Sequence, residues 1–132
     1  MELVFNIEGR IPSKKNSKQI LINKKTNRPF IMSSKRYKEW HKYSSIQLKS
    51  QMTNIDYKFP VEDCISVRVN IFYPDMRSTD NTNKAESVHD LMVDCGVLKD
   101  DNWQVTGPTI QCPVYRKNQP GAKIQLFLSG RV

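Results

Sequence analysis

Asp80 and, about one helix plus a turn further on, Asp100-Asp101 are carboxylates of the kind that hold a hard divalent cation, and Lys84 is a cation set beside the first of them. Between residues 80 and 101 stand six acids (Asp80, Glu86, Asp90, Asp94, Asp100, Asp101) against two lysines (Lys84, Lys99), so this stretch carries a charge of −4 inside a chain of net charge +8. Carboxylates repel phosphate. A protein basic enough to bind a polyanion that nevertheless gathers acids in one place is expected to put a divalent cation between the two.

The chemistry follows from residue type. Asp80 and Asp101 would donate oxygen ligands to Mg²⁺ or Mn²⁺, with waters and phosphate oxygens completing the shell, and Lys84 would offset charge developing on a scissile phosphate. The same residues have a plainer reading, with Asp80 as a helix N-cap paired to Lys84 one turn on and Asp100-Asp101 as a polar turn.

Positive charge is equally concentrated. From Arg10 to Lys42 there are eleven Lys or Arg and one acid, Glu39, a local charge of +10. Such a stretch is expected to track phosphates. Within it, Lys14, Lys15, Asn16 and Lys18 lie in a polar loop, and Lys24, Lys25 and Arg28 surround a turn. Arg77 is a further candidate beside the acids.

The chain's patterning predicts the elements that carry these residues. Residues 3–8 alternate as a first strand, closed by Gly9 and Pro12. Two β-like runs, 19–23 and 28–32, flank the turn residues Lys24-Lys25-Thr26-Asn27 and predict a basic hairpin. Ser33-Ser34 provide a cap for a helix to about Met52, with Tyr37, Trp40, Ser44 and Leu48 on one face, which places Trp40 in the core. Residues 64–73 form the clearest strand, Ile65, Val67, Val69, Ile71 and Tyr73 alternating with Ser66, Arg68 and Asn70.

A second helix is expected from Asp80 or Asn81 to Cys95, with Ala85, Val88, Leu91, Met92 and Cys95 facing inward and Gly96 ending it. Residues 97–105 read as a turn between short apolar pieces, and two strands follow, about 109–117 and 123–129. The order predicts an α+β fold in one domain over residues 1–132, a mixed sheet packed against two main helices.

Other chemistries are disfavoured. Cys64, Cys95 and Cys112 are odd in number and lack C-x-x-C spacing, so they read as buried thiols, and two histidines, His41 and His89, are too few for histidine-based nucleases or a Cys₂His₂ zinc site. No apolar run is long enough for a membrane span and the N-terminus opens into a strand, which predicts an intracellular, cytoplasmic protein.

Three blocks resemble the RusA family of Holliday-junction resolvases: Pro12-Ser13-Lys14-Lys15-Asn16, Asp80-Asn81-Thr82-Asn83-Lys84, and the run from Gly96 to Val105 containing Asp100-Asp101-Asn102-Trp103-Gln104-Val105. The resemblance implies a homodimeric endonuclease, often prophage-borne, that needs Mg²⁺ or Mn²⁺ and makes paired nicks in four-way DNA junctions. It places the family's second motif aspartate on Asp80, its lysine on Lys84 and the later aspartate on Asp101, with Asp100 as neighbour.

The family's first motif aspartate falls on Ser78, whose hydroxyl is a poorer ligand than a carboxylate. Asp75, three residues earlier, is the expected replacement. The alternative expectation is a weakened relative that binds or regulates at DNA without cutting. An RNA-directed nuclease has no specific support.

Overall fold

The computed structural model of the chain describes residues 1–13, 18–76 and 84–129. In chain order the elements are β1 (Glu2–Glu8), β2 (Lys18–Asn23), β3 (Arg28–Ser33), α1 (Lys35–Thr53), β4 (Cys64–Tyr73), α2 (Lys84–Asp94), α3 (Trp103–Thr106), β5 (Thr109–Tyr115) and β6 (Gly121–Leu128). Four strands form a mixed sheet in the order β1-β6-β4-β5, and β2 and β3 form a separate two-stranded sheet.

β6 pairs antiparallel with both β1 and β4, whereas β4 and β5 are parallel. Parallel neighbours need a crossover, and the segment holding α2 and α3 supplies it. Everything between Lys84 and Thr106 is therefore delivered to one region beside the β4–β5 pair.

Alternation in the strands builds the core. Leu3, Phe5 and Ile7 of β1, Val67, Val69 and Ile71 of β4, and Ala122, Ile124 and Leu126 of β6 are buried, together with Trp40 and Leu48 of α1 and Val88, Leu91 and Met92 of α2. Trp40 is 7% exposed, so the expected helix stripe is a core stripe. Cys64 and Cys95 are buried thiols, and burial, then the charge of Asp63, pushes the Cys64 thiol up to about 11.

The start of α1 follows its capping signal. Ser34 accepts the Tyr37 amide, which satisfies one of the orphan donors of the first turn. The same helix protects the sheet edge: Gln51 both accepts from and donates to the Asn6 backbone, at 2.8 and 2.6 Å, and Gln47 accepts the Glu8 amide at 2.7 Å. At Asn6 and Glu8 the outward backbone groups of β1 are thereby paired rather than open to another strand.

Three local expectations change. Ile65 is 58% exposed and out of the buried row, because the register shifts between Cys64 and Ser66 and leaves Ile65 as an extra residue opposite β6. The 97–105 segment contains a short helix, α3. The connection between the last two strands, which lie on either side of β4, comes about two residues early: β5 ends at Tyr115 and β6 begins at Gly121, with Asn118 at φ 57 in the turn. The expected start of this helix at Asp80 or Asn81 lies outside the described residues, within which α2 runs from Lys84.

The β2–β3 hairpin forms as patterned. Asn23 and Arg28 close it, the Asn27 amide donates to the Asn23 carbonyl at 2.7 Å, and Asn27 takes the left-handed φ of 56° that asparagine tolerates. Among the described residues no helix is long and apolar enough to cross a membrane.

Ser44 is 1% exposed on the core face of α1, and its hydroxyl has no hydrogen-bond partner among the described residues. An unpaired buried hydroxyl destabilises, and alanine favours helix over serine. Ser44→Ala is expected to stabilise the protein by about 1 kcal/mol, read as a higher urea midpoint at unchanged slope; a lower midpoint would show that the hydroxyl is satisfied.

Candidate active site

The head of α2 is held by three hydrogen bonds to distant segments. Lys84 Nζ donates to the Ile11 carbonyl at 2.9 Å and lies 5.7 Å from the centre of the Tyr73 ring. The Ala85 amide donates to Gln111 Oε1 at 2.9 Å, and the buried Ser87 hydroxyl donates to the Pro12 carbonyl at 2.7 Å. The ammonium is thus fixed where the loop after β1, the end of β4 and the start of α2 meet. A carbonyl dipole and an aromatic face both favour a positive charge at this place.

Asp75 comes to the same place by another route. Its Oδ2 is 2.6 Å from Arg10 Nη2, and Arg10 precedes the residue that receives Lys84. The pair is about one-third exposed on both sides, so it orients more than it stabilises. The pair engages one oxygen of the Asp75 carboxylate.

The Asp100-Asp101 turn is built on a buried base. Val97 and Leu98 are buried, the Val61 amide donates to the Val97 carbonyl at 2.7 Å, and the Lys99 amide returns to the Val61 carbonyl at 3.0 Å. Beyond them, Asp100 Oδ1 accepts the Asp101 amide at 2.7 Å and Asp100 Oδ2 accepts the Asn102 side-chain amide at 3.0 Å. Asn102 in turn caps α3, its Oδ1 accepting from the Gln104 and Val105 amides at 3.0 and 3.1 Å.

These contacts separate the two acids. The Asp101 amide first, then the Asn102 side chain and the Asp101 side chain, hold the Asp100 carboxyl below its ordinary 3.8, so it is ionised at neutral pH and shapes the turn. Asp101 is exposed, and its charge acts on His89 of α2.

His89 is half-buried, with Nε2 3.0 Å from the Thr109 hydroxyl of β5. Burial lowers its pKa, and the charges of Asp101, Asp90 and Glu86 oppose the shift. Lys84 and His89 are five residues apart on α2, about 7.5 Å along its axis. That one helix therefore relates the lysine to the acidic turn.

Of the other sequence candidates, Asp80, Ser78, Arg77, Lys14, Lys15 and Asn16 lie outside the described residues, as does the side chain of Lys18, which opens β2. Lys24, Lys25 and Arg28 are exposed at the hairpin end. Among the described residues no group of three His, Cys, Asp or Glu side chains converges. The oxygen donors of Asp101 and Asp100 fit Mg²⁺ or Mn²⁺ by type, with Asp101 the better ligand because the oxygens of Asp100 already serve the turn.

Sequence reasoning passed over Arg10, His89, Asn102 and Gln111. Asn102 was marked by cap chemistry before Gln104 and Val105. His89 was visible as a helical histidine, but its neighbours belong to the distant Asp101 turn and β5. Arg10 and Gln111 act across 65 and 26 residues, with no local signal.

Two comparisons bear on these residues. The family model described as endodeoxyribonuclease RusA matches residues 11–127, a span that begins at the carbonyl holding Lys84 and includes α2, the acidic turn and both final strands. A search of curated proteins found no match.

Replacing Asn102 with alanine removes the α3 cap and one donor to Asp100 together. Asn102→Ala is expected to cost about 1 kcal/mol in urea denaturation and to speed hydrogen exchange at the Gln104 and Val105 amides. Unchanged exchange at those amides would mean that the turn is held by something else.

Proposed function

The chain belongs to the RusA family of endodeoxyribonucleases, and from that membership we propose that it is a divalent-metal-dependent nuclease that resolves four-way DNA junctions by paired phosphodiester hydrolysis. Residues 1–132 would form one such domain. The observation that carries the reading is Lys84, a cation fixed at the head of the helix whose His89 feels the charge of Asp101.

Asp80 and Asp101 would hold Mg²⁺ or Mn²⁺, which when bound supplies an activated water and a Lewis acid for the leaving 3′-oxygen. Lys84 would offset the charge that grows on the phosphate, its ammonium already positioned by Ile11 and Tyr73. Asp100 would keep the turn in shape. Asp75, one oxygen of which pairs with Arg10, would serve as a further acid.

Lys24, Lys25 and Arg28 of the hairpin, with Lys14, Lys15, Asn16, Lys18 and Arg77, would contact phosphates and fix register without reading bases. A homodimer would present two equivalent sites to the two equivalent strands of a junction.

A second reading is a protein on the same scaffold that binds branched DNA without cutting it. The ion pair that occupies Asp75, together with Ser78 in the first motif position, favours it.

The two readings part on carboxamide variants. Asp80→Asn and Asp101→Asn are each expected to lower junction cleavage by about 100-fold or more while junction affinity stays level, since removing a carboxylate removes no phosphate contact. Cleavage at the wild-type rate by both variants would overturn the assignment of the acids.

A further inference from the structure

The chain has two tryptophans with opposite placements. Trp40 is packed in the core, while Trp103, two residues after Asp101, is 77% exposed. Two residues span no more than about 7 Å of extended chain, so the exposed indole is rooted beside the acid assigned to metal binding.

Its base is firmly built. Trp103 is the first residue of α3, behind the Asn102 cap, and its carbonyl accepts the Gly107 amide at 2.8 Å. Val105 and Thr106 are buried. Gly107, at φ +64, passes so close to the Ile65 bulge that an added Cβ would stand 2.4 Å from the Ile65 carbonyl oxygen. Four residues thus hold a large flat side chain outward on a fixed pedestal.

A phosphate contact needs no indole, and the cations of this chain already serve phosphate. An aromatic face is matched by the face of a nucleobase, which stacking covers inside a continuous duplex and which a branch point can uncover. Resting on the nuclease reading of the same site, we propose that Trp103 stacks on a base unstacked at the branch point, so that branched DNA is preferred over linear duplex where Asp101 and Lys84 act.

Intrinsic fluorescence tests this directly, because buried Trp40 supplies an internal constant. Wild type, Trp103→Ala and Trp103→Phe would be titrated in EDTA with a synthetic four-way junction and with a linear duplex of the same sequence. The expected result is quenching of wild-type emission by the junction, absent in Trp103→Ala. That variant should bind the junction about 10-fold more weakly, with duplex affinity unchanged and Trp103→Phe close to wild type.

Equal junction affinity in wild type and Trp103→Ala would overturn the proposal. So would an equal loss on junction and duplex, or a shift of Trp103 emission with protein concentration in the absence of DNA, which would mean that a second copy covers the indole. Junction quenching by a wild type that never nicks in Mg²⁺ or Mn²⁺ would sink the nuclease reading and leave the stacking supported. Nicking that is indifferent to Trp103 would sink the stacking alone.

Discussion

The hydrogen bond from the Lys84 ammonium to the Ile11 carbonyl is the constraint on which the rest of the site depends. A partly buried ammonium requires polar partners, and the backbone after β1 provides one only if α2 is docked in a single position. Ser87 on Pro12 and Ala85 on Gln111 hold that position from the same end of the helix. With the head of α2 fixed between β1, β4 and β5, its body carries His89 to Thr109 and to the field of Asp101. A contact across 73 residues thereby sets the relation between a lysine and an acid that are only 17 positions apart in the chain.

Charge is arranged by the same logic. The whole chain is basic, which favours approach to a polyanion, while seven of its thirteen acids fall in the one crossover segment between the parallel strands. Those acids have been given different work by their neighbours. Asp100 spends its oxygens on the turn, Asp75 faces Arg10, and the charge of exposed Asp101 reaches His89 of α2. The pedestal of α3 then sets Trp103 beside Asp101, so one short segment joins acid, cap and aromatic surface.

What could be read in the sequence was what repeats locally. The two-residue period in β1, β4 and β6, the helical stripe through Trp40 and Leu48, the Ser34 cap and the turn of the basic hairpin all follow from patterns within a dozen residues. Ile65 broke the pattern because a bulge is a property of two strands and not of one. The four residues of α3 are too few to show a helical period, although the cap before them was there to read. The pairing of Arg10 with Asp75 and of Gln111 with Ala85 depends on which strands lie side by side, and β4 beside β5 in parallel is a consequence of the crossover. Lys84 and Asp101 were legible as residue types at a family spacing; the Ile11 carbonyl that holds the first and the reach of the second's charge to His89 were not.

Denaturing gel analysis of a labelled synthetic four-way junction and a matched linear duplex, each incubated with the protein in Mg²⁺, in Mn²⁺ and in EDTA, tests the central claim most directly. The account predicts symmetric nicks in the junction with either metal and none in EDTA. Tight junction binding with no nick in any of the three would contradict it, and would leave a basic scaffold on which the acidic turn serves the fold rather than hydrolysis.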